Sequence, residues 1–279
     1  MRFETRAMPA AIPAVRMSGV ELAQGRGRKA VTLLTGFDLE VADGERIAII
    51  GSPASSAAAV LGLLAGTERP SAGEIEIFGR TVPEALAAAD IGVVAGTAAL
   101  RSGWTVERSL SDPLERAGMD YAGRGQRVRD LAARTGLADH LGVRVGALSP
   151  AQRCRAAIAA ALAPRPRVLV LAEPFAGLNA FTRERQQLDL LRMLVGVGAA
   201  LILATDSVDE AVFLADRVVA LAPGAGPRPG SGPVLGEVEI PFRDARPEGL
   251  REQPEFFDRV VAVRAALRGD PAALSSVDA

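Results

Sequence analysis

Arg46-Ile-Ala-Ile-Ile-Gly51-Ser-Pro-Ala-Ser-Ser56-Ala57-Ala58-Ala59-Val-Leu-Gly-Leu-Leu-Ala-Gly66 runs from a continuous apolar strand, through a small-residue loop, into a helical pattern. A glycine-rich phosphate loop reads G-x-x-x-x-G-K-[ST]. Its backbone N–H groups cradle phosphates at a helix N-terminus, and its lysine neutralises their outer oxygens. In that register Gly51 keeps the first glycine. Ser56, Ala57 and Ala58 stand at the second glycine, the lysine and the Mg²⁺-binding hydroxyl. Ser56 carries a Cβ where glycine permits close backbone approach, Ala57 supplies no cation and Ala58 no metal ligand. Pro53, within the loop, has no N–H to offer.

Working outward, apolar runs bounded by turn residues recur at 46–50, 74–78, 91–94, 167–171, 200–204 and 217–221. Several are nearly continuous in Val, Ile and Leu, as strands buried on both faces require. Helical patterns lie between them at 57–65, 182–195 and 208–215. Strands alternating with helices predict an α/β fold with a mainly parallel sheet flanked by helices. Residues 105–163 break the alternation with three helix-like stretches, 106–117, 125–135 and 150–162, and are expected to form a helical subdomain inserted in the sheet. Residues 1–30 are loosely patterned, with a loop expected around Gly25–Lys29. The expected organisation is a domain over 1–222, then a Pro/Gly-rich hinge at 223–233. An extension to 279 follows, with an alternating strand at 234–242, an amphipathic helix at 254–267 and a frayed end from 270.

The chain has 279 residues, 49% of them apolar and 23% charged, which suits a globular protein with a sizeable core. A net charge of −1 implies no general attraction to nucleic acid. Lys29 is the only lysine, His140 the only histidine and Cys154 the only cysteine, which excludes an intramolecular disulfide and argues against Cys/His zinc sites. Glu4 and Arg6 interrupt the apolar run that a signal peptide needs. The longest uncharged apolar stretch, 193–205, is too short to span a bilayer and reads as a helix end running into a buried strand. Membrane association is therefore expected only through a partner.

Three further segments follow in a fixed order. They are Leu148-Ser149-Pro150-Ala151-Gln152-Arg153, then Val168-Leu-Val-Leu-Ala172-Glu173-Pro174-Phe175-Ala-Gly-Leu178-Asn179, then Ala204-Thr205-Asp206-Ser207-Val-Asp209-Glu210. With the loop at 51–58 they resemble the ATP-binding-cassette (ABC) nucleotide-binding domain, most closely that of nitrate/sulfonate/taurine-type importers, over residues 15–245. The resemblance implies a P-loop NTPase-like fold, a signature segment at 148–162, Walker B into the D-loop at 168–183, and a switch region at 204–218. It also implies a membrane permease as partner, a place on the cytoplasmic face of the membrane, and pairing with a second cassette. A competent ATPase subunit would serve in such a heterodimer.

The same resemblance marks what is replaced. Ala172 stands at the Mg²⁺-binding aspartate, while Glu173 keeps the general-base position as a vestige. Asp206 stands at the switch histidine, where an acid would repel a phosphate. Gly96 stands at the Q-loop glutamine, and Val20-Glu-Leu-Ala23-Gln24 offers no ring to stack on adenine. Ser149 and Gln152 remain in the signature, but Pro150 and Ala151 replace its glycines, and Asn179 replaces the D-loop aspartate. His140, ahead of the signature, reads as a surface or loop histidine. No competent catalytic set survives, so ATP and Mg²⁺ binding are expected to be weak or absent and hydrolysis lost. The expectation is a pseudo-ATPase subunit docked to a permease through residues around Gly96–Trp104 and the helical insertion. The alternatives are a soluble regulatory or scaffolding protein of the same descent and a weakly active ATPase.

Overall fold

A computed structural model describes residues 12–25, 31–51, 56–96, 100–222, 233–242 and 246–269. The expected phosphate loop at 52–55, the loop at 26–30, most of the hinge and the end from 270 lie outside them. The chain order is β1 (Val15–Gln24), β2 (Val31–Val41), β3 (Arg46–Ile50), α1 (Ser56–Leu64), β4 (Ala72–Ile77), β5 (Arg80–Thr81), α2 (Val82–Ala87) and β6 (Ile91–Ala95). The helical region follows as α3 (Val106–Arg116), α4 (Tyr121–Arg134) and α5 (Pro150–Leu162). The chain then returns through β7 (Val168–Ala172), α6 (Ala180–Leu194), β8 (Ala200–Thr205), α7 (Val208–Leu214) and β9 (Arg217–Leu221) to β10 (Val234–Glu239) and α8 (Pro254–Leu267).

The main sheet has the order β10-β9-β3-β8-β7-β6. Neighbours are parallel from β9 to β6, and β10 is antiparallel to β9. Period-2 alternation explains the continuous apolar runs, because each strand feeds two cores. Ala48, Ile50, Leu169, Leu171, Leu201 and Leu203 pack against α5 to α8. Ile47, Ile49, Val168, Val170, Ala200 and Ile202 face α1 and the smaller sheet. The C-terminal segment shares the first core through Val238, Ile240, Phe256, Val260 and Val263.

A second sheet of order β2-β1-β4-β5 is antiparallel, and here the sequence reading needs correction. Residues 15–24 were expected to be loosely patterned but form a full strand. Register shifts between Met17 and Val20 and between Val20 and Leu22 break the alternation that would have revealed it. The strand expected at 74–78 belongs to this sheet as β4 and not to the parallel one. Gly73 (φ +81°) lies so close to Gly19 that an added Cβ would sit 2.4 Å from the Gly19 carbonyl oxygen, so β4 approaches β1 where position 73 has no room for a side chain. Helix α2 went unread, though Thr81-x-x-Glu84 forms a capping box ahead of it.

The helical region has its own core of Val106, Leu110, Leu114, Val128, Leu131, Leu148, Ala156 and Ala159. Its helices also cap one another. Arg127 of α4 donates to the carbonyls of Ala163 (3.1 Å) and Leu162 (3.2 Å) at the C-terminus of α5, and Arg155 of α5 donates to Thr135 O (3.3 Å) at the C-terminus of α4. Each guanidinium meets carbonyls that a helix end leaves unsatisfied and that carry partial negative charge.

Where α7 runs into β9, Asp216 takes the guanidinium of Arg46 at 2.6 Å and that of Arg246 at 3.1 Å. Arg246, its side chain wholly buried, also donates to Val212 O and Ala215 O at the end of α7. Asp216→Ala takes this carboxylate from both guanidinium groups and is expected to cost about 3 kcal/mol in urea unfolding. Glu40→Ala, which breaks an exposed pair with Arg16, should cost under about 1 kcal/mol in the same assay.

Candidate functional site

Parallel registration brings the carboxyl ends of the central strands to one edge. Ile50 lies opposite Thr205, Ala204 opposite Ala172, and Ala172 opposite Ala95. Gly51, Ala172, Glu173, Gly96 and Asp206 therefore gather where an open parallel sheet binds ligands. Two hydrogen bonds extend the ladder past the strand ends: Gly96 N–H to Ala172 O and Glu173 N–H to Ala204 O, each 2.9 Å. Gly96 has φ +66°, a conformation that disfavours the glutamine otherwise expected there.

At the start of α1 the side chains serve the scaffold. The Ser56 hydroxyl is buried and shares its proton between Leu33 O (3.0 Å) and Ala222 O (3.1 Å), joining the helix to β2 and to the end of β9. Ala57 is 7% exposed and belongs to the core with Val60 and Leu64, whereas Ala58 is exposed.

Carboxylates stand at the neighbouring strand ends. Glu173 has φ +44°, a strained backbone for a residue other than glycine. Burial, then the charges of Asp206 and Glu210, push its carboxyl up to about 7 against the pull of the Asp206 N–H and of Arg183. Glu210 is buried and held by Gln187 Nε2 (2.8 Å) and the Thr205 hydroxyl, and burial raises its pKa as well. Gln187 in turn accepts from Arg251, which reaches in from the turn before α8 and lies 3.6 Å over the Phe213 ring. Glu210, Gln187 and Arg183 carried no role in the sequence reading. The available signal was Ser207-x-x-Glu210, which does cap α7 through Ser207 Oγ and Glu210 N (3.3 Å).

Ser149 and Gln152 form a separate group at the start of α5. Ser149 N–H donates to Gln152 Oε1 (2.8 Å) and Gln152 N–H to Ser149 Oγ (3.3 Å), with Pro150 at the first turn where its missing N–H costs nothing. His140 lies in a turn, one of the two places expected for it. It is half-buried in the turn Ala138–His140, with Nε2 2.7 Å from Gln152 Nε2. Asn179 caps α6 by accepting from Thr182 N–H (2.9 Å), a bond aspartate would make equally well. The Cys154 thiol, pushed up to about 12 by burial, donates to Pro174 O and ties α5 to the segment after β7.

Between the sheet and the helical region lies a groove of about 590 Å³ whose lining includes Ile91, Val93, Leu100, Arg101, Trp104 and Asp112. Trp104 is half-buried between Arg101 (4.6 Å) and Arg108 (5.2 Å), each guanidinium over its ring.

The carboxyl of Glu173 makes a pH-dependent contribution. From its ordinary value of 4.5 up to about 7 the unfolded chain gives up this proton while the folded chain retains it. Stability is therefore lost as pH rises through that window and stays lost above it. Glu173→Gln removes the effect. The variant should gain on the parent by on the order of 1 kcal/mol between about pH 5 and pH 8, solvent screening absorbing part of the shift, as read by denaturant unfolding across pH.

The ABC transporter family matches residues 34–176. The taurine import ATP-binding protein of Yersinia pestis is 33% identical over 81% of this chain and 88% of its own length. The corresponding protein of Pseudomonas aeruginosa is 35% identical over 68% and 71%. Among solved structures, cbiO1 from Clostridium perfringens, part of an ABC transporter complex, superposes with a TM-score of 0.70 at 21% identity, over 92% of this chain and 97% of that one. A dimeric ATP-binding cassette bound to ADP and Pi superposes with a TM-score of 0.70 at 20% identity, over 82% and 100%. With the cassette fold, the strand-end site and the inserted helical region in place, the chain belongs to the ABC transporter family as an ATP-binding-cassette subunit.

Proposed function

We propose that this chain is the cassette subunit of a taurine- or bicarbonate-type importer that has kept the docking and scaffold roles and lost ATP hydrolysis. The observation that carries the reading is the start of α1. Ser56 spends its hydroxyl on Leu33 and Ala222, and Ala57 fills core space where a phosphate-binding lysine would begin. Ala172 gives no metal ligand, and Glu173, Asp206 and Glu210 make the strand ends acidic where a triphosphate would lie. These residues do not fit ATP–Mg²⁺, and no hydrolytic step is derived for them. Losing even one strong phosphate contact costs on the order of 10²-fold in rate, and here several are missing together.

In this reading the subunit sits at the cytoplasmic face of the membrane, held by a permease, because no helix among the described residues is long and apolar enough to cross a bilayer. The groove beside Trp104 receives the permease. Docking depends on shape and charge and not on turnover, so closure can be passed on when a paired, competent cassette binds ATP.

Titration of the purified protein with a fluorescent ATP analogue and Mg²⁺ is expected to show no saturable binding below roughly 1 mM; micromolar affinity would overturn the loss of nucleotide binding. Docking is tested separately by co-expression with the importer's permease. Trp104 is the only tryptophan of this chain, so 5-hydroxytryptophan incorporated into this subunit alone gives a fluorescence signal from the groove. Its emission should shift on complex formation, and Trp104→Ala should weaken the complex about tenfold. An unchanged spectrum in an intact complex would place the permease elsewhere.

A further inference from the structure

One arrangement plays no part in docking or nucleotide binding: the sole histidine, set against the cap of α5. Gln152 has one carboxamide and two obligations. Its Oε1 accepts from the Ser149 backbone N–H at 2.8 Å, so its NH₂ must face the other way. There it meets His140 Nε2 at 2.7 Å, a separation that requires the imidazole nitrogen to accept. His140 Nδ1 is buried and has no hydrogen-bond partner among the described residues, so nothing on that side competes to choose the tautomer. His140 is itself fixed by its backbone, which donates to Leu137 O and accepts from Val143 N–H, each at 2.9 Å.

We infer that His140 is a positioning residue: as the neutral Nδ1–H tautomer it holds the Gln152 carboxamide in the one orientation that caps α5, and so fixes how Ser149 is presented. With the proton on Nε2, the ring faces the Gln152 NH₂ donor to donor. Rotating the amide relieves that contact but turns the NH₂ onto the Ser149 N–H and opens the cap. With Gln152 in place, the exposed Ser149 hydroxyl takes Gln152 N–H on a lone pair, which leaves its own proton free to donate outward. The inference goes beyond the proposed loss of hydrolysis and does not depend on it, since every group in the chain of contacts belongs to the helical region of a single subunit.

One histidine in the sequence makes the test free of assignment. The full-length protein labelled with ¹⁵N-histidine is observed at pH 8, above the ordinary imidazole range, by long-range ¹H–¹⁵N correlation. A protonated Nδ1 and a bare Nε2 are expected; a proton on Nε2, or two averaged nitrogens, would overturn the proposal. Gln152→Glu, which can only accept, should move the proton to Nε2, and a tautomer unmoved by that change would also count against it. Amide exchange at Ser149 gives the second readout. His140→Leu should speed it roughly fivefold to tenfold, and His140→Gln, which restores an acceptor, should bring it back. A purely packing role would lower the melting temperature in both variants and leave Ser149 exchange where it was.

Discussion

The carboxylate of Asp216 is the point on which the architecture turns. It neutralises Arg46, the first residue of the strand at the middle of the sheet, and Arg246, from the segment leading into the last helix. The backbone of the same residue completes the junction: Asp216 N–H donates to Arg46 O and Asp216 O accepts from Ile240 N–H. Three parts of the chain far apart in sequence are thereby fixed to one another, and the carbonyls at the end of α7 find their donor in Arg246. A buried guanidinium costs several kcal/mol to desolvate, which the Asp216 carboxylate and the two carbonyls of α7 offset for Arg246.

None of these contacts uses a residue of the strand-end site. The core is built from the bodies of the strands, and the junction at Asp216 lies at the opposite end of β3 from Gly51. Changes at the exposed positions 58 and 206 can therefore accumulate without loosening the fold, Ala57 and Ala172 pack against the core, and Ser56 adds two buried contacts where a glycine would offer none. The strain at Glu173 and its raised carboxyl are the exceptions, a cost retained on a well-supported scaffold.

Much of the fold was legible from periodicity. The parallel strands announced themselves as short Val/Ile/Leu runs because both their faces are buried, and the helical insertion announced itself by having no such run. The antiparallel sheet stayed hidden because its bulges shift the alternation within β1, and because Gly19 and Gly73 mark a backbone contact that no pattern of side chains encodes. At the site, the positions of Gly51, Ala172 and Asp206 followed from order and spacing. The partners of Glu210 did not, since Gln187 lies on α6 and Arg251 near α8, and only packing brings them to one carboxylate. The contact of His140 with Gln152 was hidden for the same reason: it is made across a turn that carries no sequence signal.

The mutual caps of Arg127 and Arg155 have a mechanical consequence. Each of two neighbouring helices holds the other's end, so sliding one along the other breaks hydrogen bonds at both termini together. Shear within the pair is resisted, and α5 is also held to the sheet through the main core and the Cys154 contact with Pro174 O. A load on α4 is therefore shared with α5, which hands it to the sheet through the core that the two have in common.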